Sequence, residues 1–206
     1  MHEAILEDLD QDEEYFYKVT YKGEVIVEST FYSKKSSGQL FSFVVFGDSG
    51  DSFGNTQTPQ YKIAYVMKQD VLTTGFDFMI HTGDVVYDEG LEEEYDMNYF
   101  EPYVNLGLKV PMLPSIGNHD YAGPEKLAPY LRNFYLPEGQ ELNEEFYSFE
   151  HGDALFIALN NMNLDYNIGS VQSNWLIRTL RDALIKIGWE KSLVEKGLQK
   201  KVETFK

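Results

Sequence analysis

The amino-acid sequence predicts an α/β fold, because short apolar runs alternate with helix-like segments along most of the chain. Three of the apolar runs end in a glycine that is followed by a side chain able to bind a metal. Hydrophobic residues make up 43% and aromatic residues 15% of the 206 residues, which is enough for a sizeable core. We therefore expect a globular α/β domain, with part of a second one, whose chemistry lies at the ends of strands.

Charge and composition exclude several classes of function. The chain has 34 acidic and 17 basic residues and a net charge of −17, which repels nucleic-acid backbones and anionic membranes. It has no cysteine, so the sequence offers neither disulfides nor thiolate chemistry. No apolar run has the length of a membrane span, and the first residues lack a signal-peptide pattern. We expect no nucleic-acid and no membrane partner, and the compartment stays open.

Residues 1–38 are predicted to form β-structure ahead of the main domain. Two alternating runs rich in β-branched and aromatic residues, Glu14–Tyr21 and Glu24–Tyr32, flank a Lys-Gly turn and predict a hairpin. The segment Leu6–Tyr15 resembles the tyrosine corner of a fibronectin type III domain, so residues 1–38 would be a partial segment of that kind. Such a short β segment is marginal unless it packs on something else.

Three aspartates, Asp8, Asp10 and Asp12, have the alternate spacing of a calcium-binding loop. That loop requires Gly at its sixth and Glu at its twelfth position, where this chain has Glu13 and Val19. We therefore expect a solvated turn at this point rather than a calcium site.

The main domain is predicted at residues 39–186, after a polar linker at 33–38, and a divergent, Lys-rich tail at 187–206. Its predicted elements are strands at 40–46, 76–81 and 110–116, helices at 60–72, 91–106 and 171–187, and a hairpin from 146–149 to 154–159. The first strand is expected to be fully buried. The acidic run Glu92–Glu94 is interpreted as a solvated helix face.

Three glycine-containing motifs carry the predicted chemistry, each directly after a strand-like run. They are Gly47-Asp48-Ser49-Gly50, Gly83-Asp84-Val85-Val86-Tyr87 and Gly117-Asn118-His119-Asp120. Because ligands of open α/β sheets collect beyond the carboxyl ends of strands, the three loops can converge. The convergent groups are oxygen-rich with one imidazole, a set that suits Fe, Mn, Zn or Mg; they are Asp48, Asp84, Tyr87, Asn118 and His119.

Each motif taken alone has an ordinary structural interpretation. Asp48 could be a helix N-cap and Asn118 a turn residue. Three such motifs in order favour a joint site over these separate roles. Of the remaining histidines, we interpret His81 as packed in or behind the site, His151 as a hairpin residue and His2 as incidental.

The three motifs resemble the first three of the five motifs of the calcineurin-like metallophosphoesterases, specifically of their purple acid phosphatase branch. The branch assignment depends on Tyr87, where most other members have Asp or Asn, and on Gly50, where many have His. The resemblance covers most of residues 1–180 and implies a β-sandwich flanked by helices. A phosphodiesterase of the wider superfamily is the other enzymatic hypothesis, against which Tyr87 counts.

The resemblance implies a binuclear metal centre. Asp48, Asp84 and Tyr87 would bind the first metal, with Tyr87 as a phenolate that stabilises Fe(III). Asp84 would bridge to a second metal, Zn, Mn or Fe(II), which Asn118 also binds. Two metals about 3.5–4 Å apart clamp a phosphoryl group and lower the pKa of water, so a metal-bound hydroxide would attack the ester.

The resemblance also assigns two catalytic side chains. His119 would donate a hydrogen bond to the phosphate or assist the leaving group, and Asp120 would orient the imidazole. The substrate would be a phosphate ester, and the activity that of an acid phosphatase-like phosphomonoesterase. Complete relatives are often secreted.

The last part of the chain departs from the resemblance. The family's fourth and fifth motifs contribute three histidines, whereas this chain has four in all and none after His151. We therefore expect a domain that is incomplete at its C-terminus, incompletely bound metals and no activity from this chain alone. A complementary C-terminal chain or a homo-oligomer is the expected partner. The alternative is a non-enzymatic truncated product that binds metal weakly.

Overall fold

The computed structural model describes residues 4–50, 58–73, 75–137, 144–162 and 164–186, so the predicted tail at 187–206 lies outside the described residues. The described strands are β1 Glu14–Tyr21, β2 Glu24–Tyr32, β3 Phe43–Phe46, β4 Phe78–His81, β5 Met112–Pro114, β6 Tyr147–His151 and β7 Ala154–Ala158. The described helices are α1 Pro59–Thr73, α2 Glu92–Tyr95, α3 Glu101–Gly107, α4 Ala128–Asn133 and α5 Val171–Lys186. A π-helical segment, Asp96–Phe100, joins α2 to α3, and a 3₁₀ turn, His119–Tyr121, follows β5. None of the described helices is both long and apolar enough to cross a lipid bilayer.

A parallel sheet of β3, β4 and β5 positions the three motifs. The central strand β4 pairs with β3 over four residues and with β5 over three. Helix α1 lies between β3 and β4 in the chain, and α2 to α3 lie between β4 and β5, as parallel pairing requires. The carboxyl ends of all three strands therefore share one edge, from which Gly47, Gly83 and Gly117 lead away. This arrangement confirms the predicted α/β architecture.

The strands of this sheet are shorter than predicted, and β3 is not fully buried. Leu40 is 95% exposed, so the predicted strand 40–46 begins only at Phe43. Phe43 and Val45, which alternate spacing places on the same face of β3, are 39% and 53% exposed among the described residues. The prediction of a buried strand was therefore wrong on that face.

The helix predicted at 91–106 is interrupted. The hydrogen-bonding pattern widens to a π-helix at Asp96–Phe100 and returns to an α-helix at α3, close to Pro102, which lacks the amide hydrogen of a regular turn. Its buried side chains still recur at helical spacing, with Tyr95, Tyr99 and Tyr103 each at most 5% exposed. The segment therefore packs as one helical face.

An antiparallel pair, β6 and β7, packs on the parallel sheet through aromatic rings. Phe78 of β4 is 1% exposed. Its ring centroid lies 5.3 Å from that of Phe149 on β6 and 5.0 Å from that of Phe156 on β7, both close to perpendicular. His151 pairs with Ala154 and is therefore the last residue of β6, not part of the connecting turn.

The predicted N-terminal hairpin is confirmed, with β1 and β2 paired antiparallel. The Tyr15 hydroxyl accepts a hydrogen bond of 2.9 Å from the Asp10 amide, five residues upstream. The Tyr17 hydroxyl donates to the Leu108 carbonyl at 2.7 Å and so ties the hairpin to the end of α3. The carboxylate of Asp12 accepts hydrogen bonds from Ser36. The fibronectin type III assignment stays a prediction.

Candidate metal centre

Asp48 and Asp84 occupy equivalent positions in the loops that follow two neighbouring strands of the parallel sheet, β3 and β4. Each follows a glycine and adopts a left-handed backbone conformation, with φ of 52° and 51°. Aspartate is one of the few residues that tolerate this conformation. The Asp48 amide donates to the Gly83 carbonyl at 3.2 Å, which joins the two loops. Asp48 is not a helix N-cap, because α1 begins only at Pro59.

The two carboxylates meet at the hydroxyl of Tyr87. The hydroxyl oxygen lies 2.9 Å from Asp48 Oδ1 and 3.1 Å from Asp84 Oδ2. Burial, together with these two carboxylates, holds the pKa of Tyr87 well above its usual range. Tyr87 therefore stays protonated beside the carboxylates unless a cation displaces its proton.

The third motif contacts Asp84 through its backbone. Asp84 Oδ1 accepts a hydrogen bond of 2.9 Å from the His119 amide. Gly117 packs so closely that a Cβ there would lie 2.2 Å from the same oxygen. Asn118 lies between these two residues, with an exposed side chain that makes no capping hydrogen bond. The structure thus brings Asp48, Asp84 and Tyr87 into contact and places Asn118 next to them in the adjoining loop.

Gly50 allows the first and second loops to approach each other. A Cβ at this position would lie 2.3 Å from both the Val85 carbonyl oxygen and Val86 Cα. The Gly50 carbonyl also accepts a hydrogen bond of 3.2 Å from the Tyr87 amide. Gly50, which helped to assign the branch from the sequence, therefore has no space for a side chain in the structure.

Asp120 does not orient His119 as expected. Its carboxylate is fully buried and accepts hydrogen bonds from the amides of Val85 at 2.9 Å and Gly117 at 2.9 Å, with a longer one from Val86 at 3.3 Å. Burial raises the pKa of Asp120 to about 7, against the opposing effect of these three amides. Asp120 therefore joins the second and third loops. The partner of the His119 ring is instead the Asp88 carbonyl oxygen, 2.6 Å from Nδ1.

His81 lies behind the first loop, in agreement with its interpretation as a packed residue. It is fully buried at the end of β4, and its Nε2 lies 2.9 Å from Ser49 Oγ. The Tyr103 hydroxyl donates to the same Ser49 oxygen at 3.2 Å. Burial lowers the pKa of His81 to about 4, although the Asp48 charge opposes the shift.

Sequence reasoning missed Glu94, which it assigned to a solvated face. Glu94 is only 8% exposed. Its carboxylate accepts hydrogen bonds from the amides of Asp88 at 2.7 Å and Leu91 at 2.8 Å, in the loop that follows Tyr87. The helical spacing that buries Tyr95 and Tyr99 also buries Glu94, and this periodicity was the available signal. Glu92 behaves as predicted and pairs with Arg132 at the surface.

The chemistry of the donors fits a hard cation. Asp48, Asp84 and Tyr87 bring three oxygens from two loops together, a set that suits a hard cation, and Asn118 lies exposed in the third loop. Within the described ranges, no three His, Asp or Glu side chains are arranged as a metal site.

The family profile described as calcineurin-like phosphoesterase matches residues 41–199. Purple acid phosphatase 17 of Arabidopsis thaliana is 36% identical over 93 residues, which cover 43% of this chain and 26% of the relative. Purple acid phosphatase 3 of the same plant is 34% identical over 104 residues, which cover 48% of this chain and 27% of the relative. The matched segment thus spans roughly a quarter of each relative's length.

A solved structure shares the fold. The purple acid phosphatase PPD1 from seeds of yellow lupin, Lupinus luteus, aligns with a TM-score of 0.70 at 24% sequence identity. The alignment covers 85% of this chain and 34% of the lupin chain. The arrangement of the described elements is therefore one that a known metallophosphoesterase also adopts.

Proposed function

Because the chain belongs to the calcineurin-like phosphoesterase family, and within it to the purple acid phosphatase branch, we propose that it acts as a metal-dependent phosphomonoesterase. The observation that carries the proposal is the meeting of Asp48 and Asp84 at the Tyr87 hydroxyl, with oxygen separations of 2.9 and 3.1 Å. The substrate is a phosphate ester, in keeping with a family of phosphatases.

The proposed centre holds two cations, iron together with zinc, manganese or a second iron. Asp48, Asp84 and Tyr87 would bind one of them, and Asp84 with Asn118 the other. When bound, the cations would supply a Lewis acid that activates water and neutralises the phosphoryl group. The iron preference comes from the family resemblance, in which a tyrosine at the position of Tyr87 binds iron as a phenolate.

His119 is the proposed proton donor of this chain. Its half-buried ring lies beside Tyr87, whose hydroxyl contacts Asp48 and Asp84, and the centroids of the two rings are 4.2 Å apart. The Asp88 carbonyl occupies Nδ1 at 2.6 Å, which leaves Nε2 to meet an ester oxygen. Starting from the imidazolium, which carries a hydrogen on both nitrogens, the Nε2–H bond would break as the leaving oxygen gains the proton, and Nδ1 would keep its hydrogen. Asp120, proposed from sequence as a catalytic residue, contributes by holding the second and third loops together.

A second candidate function is a metal-binding chain that acts only with a partner. The described side chains offer three oxygens to one cation and two to the other, with no imidazole for either. Strand β3 also presents Phe43 and Val45, 39% and 53% exposed, at the edge of the described sheet. A complementary chain or a second copy of this chain could cover that edge.

Metal content per purified chain tests the proposal. After reconstitution with iron and zinc and removal of loose ions, we expect bound metal and a tyrosinate-to-iron absorption band in the wild type. Both should be lost in Asp84→Ala, which removes the carboxylate shared by the two sites. Asp96→Ala, an exposed aspartate on the π-helical segment, is the matched control and should retain both.

Turnover then separates the candidate functions. Hydrolysis of a phosphate monoester in preference to a diester would support the phosphomonoesterase, and the reverse preference would favour a phosphodiesterase. Tight metal binding without turnover would favour the partner-dependent chain. Equal metal content in the wild type and Asp84→Ala would contradict the proposed centre.

A further inference from the structure

One peptide unit connects the ring of His119 to the carboxylate of Glu94. The carbonyl oxygen of Asp88 lies 2.6 Å from His119 Nδ1. The amide nitrogen of Glu89, at the other end of the same peptide, lies 3.2 Å from Glu94 Oε2 and 3.4 Å from Oε1. A carbonyl oxygen can only accept a hydrogen bond, so its contact with Nδ1 requires a hydrogen on that nitrogen.

Glu94 also binds neighbouring peptides before and after this one. Its Oε1 accepts the Asp88 amide of the preceding peptide at 2.7 Å, and its Oε2 accepts the Leu91 amide, two peptides further on, at 2.8 Å. The side chain is only 8% exposed, and hydrogen bonds to a carboxylate are stronger than neutral ones in such surroundings. The orientation of the Asp88–Glu89 peptide is therefore set by a buried side chain from helix α2.

The hydrogen bonds on the two ends of the peptide reinforce each other. An amide whose N–H donates to a carboxylate has a more polarised carbonyl, which is a better acceptor. Here that carbonyl faces the imidazole. Asp120, the neighbouring carboxylate in sequence, is engaged with the amides of Val85 and Gly117 and makes no contact with the ring among the described interactions.

We propose that Glu94 is a positioning residue, which acts through the Asp88–Glu89 peptide to hold His119 in the Nδ1–H tautomer. When Nε2 takes up a second proton from solvent, the ring becomes an imidazolium; Nε2 then gives this proton to the leaving group, and the neutral Nδ1–H form remains afterwards. The inference deepens the proposed function and depends on it for its catalytic meaning. The tautomer itself depends only on the contacts of this chain.

The tautomer can be measured without metal or turnover. Long-range proton–nitrogen correlation spectra of the chain with ¹⁵N-labelled histidine distinguish the two forms, and comparison with His119→Gln assigns the signals. We expect wild-type His119, when neutral, to carry its hydrogen on Nδ1. In Glu94→Gln, one accepting oxygen becomes an amide group that cannot accept, so the Asp88–Glu89 peptide is held less firmly and the Nδ1–carbonyl hydrogen bond weakens. The ratio of Nδ1–H to Nε2–H should fall by between about twofold and about tenfold, the range expected for the loss of one hydrogen bond.

Glu93→Gln is the matched control, because Glu93 is the preceding helix residue with an exposed side chain, and it should leave the ratio unchanged. If Glu94→Gln does not fold, Glu94→Asp replaces it, since it keeps the charge but withdraws the oxygens from the peptide. An Nε2–H tautomer in the wild type would overturn the proposal. So would a ratio that the Glu94 variant leaves unchanged. Either result would leave the metal-binding test of the proposed function intact.

Discussion

Asp84 is the residue at which the three motifs meet. One carboxylate oxygen lies 3.1 Å from the Tyr87 hydroxyl, and the other accepts the His119 amide at 2.9 Å. Its side chain is 9% exposed, whereas that of Asp48 is open to solvent. A carboxylate held between two loops in this way is suited to the bridging role proposed for it, because neither oxygen is free to swing away.

His81 is a single residue that makes the free energy of unfolding depend on pH. Its folded pKa of about 4 lies below the unfolded value of 6.5, so the unfolded chain binds more protons between these values. The stabilisation that depends on the neutral His81 imidazole is complete above about pH 6.5 and is lost as the pH falls towards about 4. Over this range the free energy of unfolding falls by up to about 1.4 kcal/mol per pH unit. The free energy of unfolding of the metal-free chain should therefore fall by about 3 kcal/mol more in the wild type than in His81→Gln over this range.

Denaturant unfolding curves of the two chains, recorded from pH 7 to pH 4, provide the comparison. The difference between them isolates His81, because the carboxylates of both chains titrate alike. Parallel pH dependences would show that the imidazole is not buried in its neutral form.

At the scale of the elements, the site depends on how closely three loops pack at one sheet edge. The first and second loops touch at Gly50, and the second and third are joined by the amides that Asp120 accepts. Helix α2 adds Glu94 beneath the second loop. The side chains proposed as metal ligands are therefore placed by backbone contacts between segments that are distant in the chain.

Gly50→Ala tests this packing. The new methyl group would lie 2.3 Å from backbone atoms of Val85 and Val86, so the loops must separate. We expect a loss of about 1–3 kcal/mol in the free energy of unfolding, as for other overpacked sites, together with weaker metal binding. Gly107→Ala is the control, because nothing lies within 4 Å of the position that its new methyl group would take and its helix favours alanine. Equal metal affinity in Gly50→Ala and the wild type would argue against the close approach.

At the scale of the whole molecule, aromatic rings join the layers. Phe78 on the central strand contacts rings from β6 and β7 on one side and stacks on Phe43 of β3 at 5.1 Å. The hairpin of β1 and β2 is connected to the rest through the hydroxyl of Tyr17. The molecule thus depends on a few large side chains to hold separate sheets together.

Phe78→Ala should be the most damaging of the substitutions considered. Phe78 is 1% exposed, and the removal of a fully buried phenyl ring costs about 3–5 kcal/mol because a cavity remains. Phe16→Ala is the matched control, since Phe16 is 66% exposed on β1, and it should change stability little. Denaturant midpoints of both variants measure the difference, and similar midpoints would contradict the central position of Phe78.

The sequence by itself determined the order of the elements and which oxygen-bearing side chains meet at one edge of the sheet. The bounds of β1 and β2 agree with the predicted runs, and α1 agrees within a residue at each end, because local periodicity and turn residues encode them. The three motifs predicted that Asp48, Asp84 and Tyr87 converge, as the structure shows, because a strand followed by glycine leads a side chain to the carboxyl edge of a sheet.

Only the tertiary structure decided what the remaining carboxylates do. Asp120 and Glu94 are ordinary acidic residues in the sequence, yet both are buried and bind backbone amides of the loop that begins at Gly83. Amide partners cannot be predicted from side-chain patterns, since every residue except proline offers the same N–H group. Which amides lie within reach depends on how α2 and the third motif pack on that loop. The orientation of His119 was therefore decided by the fold and not by its neighbour in the sequence.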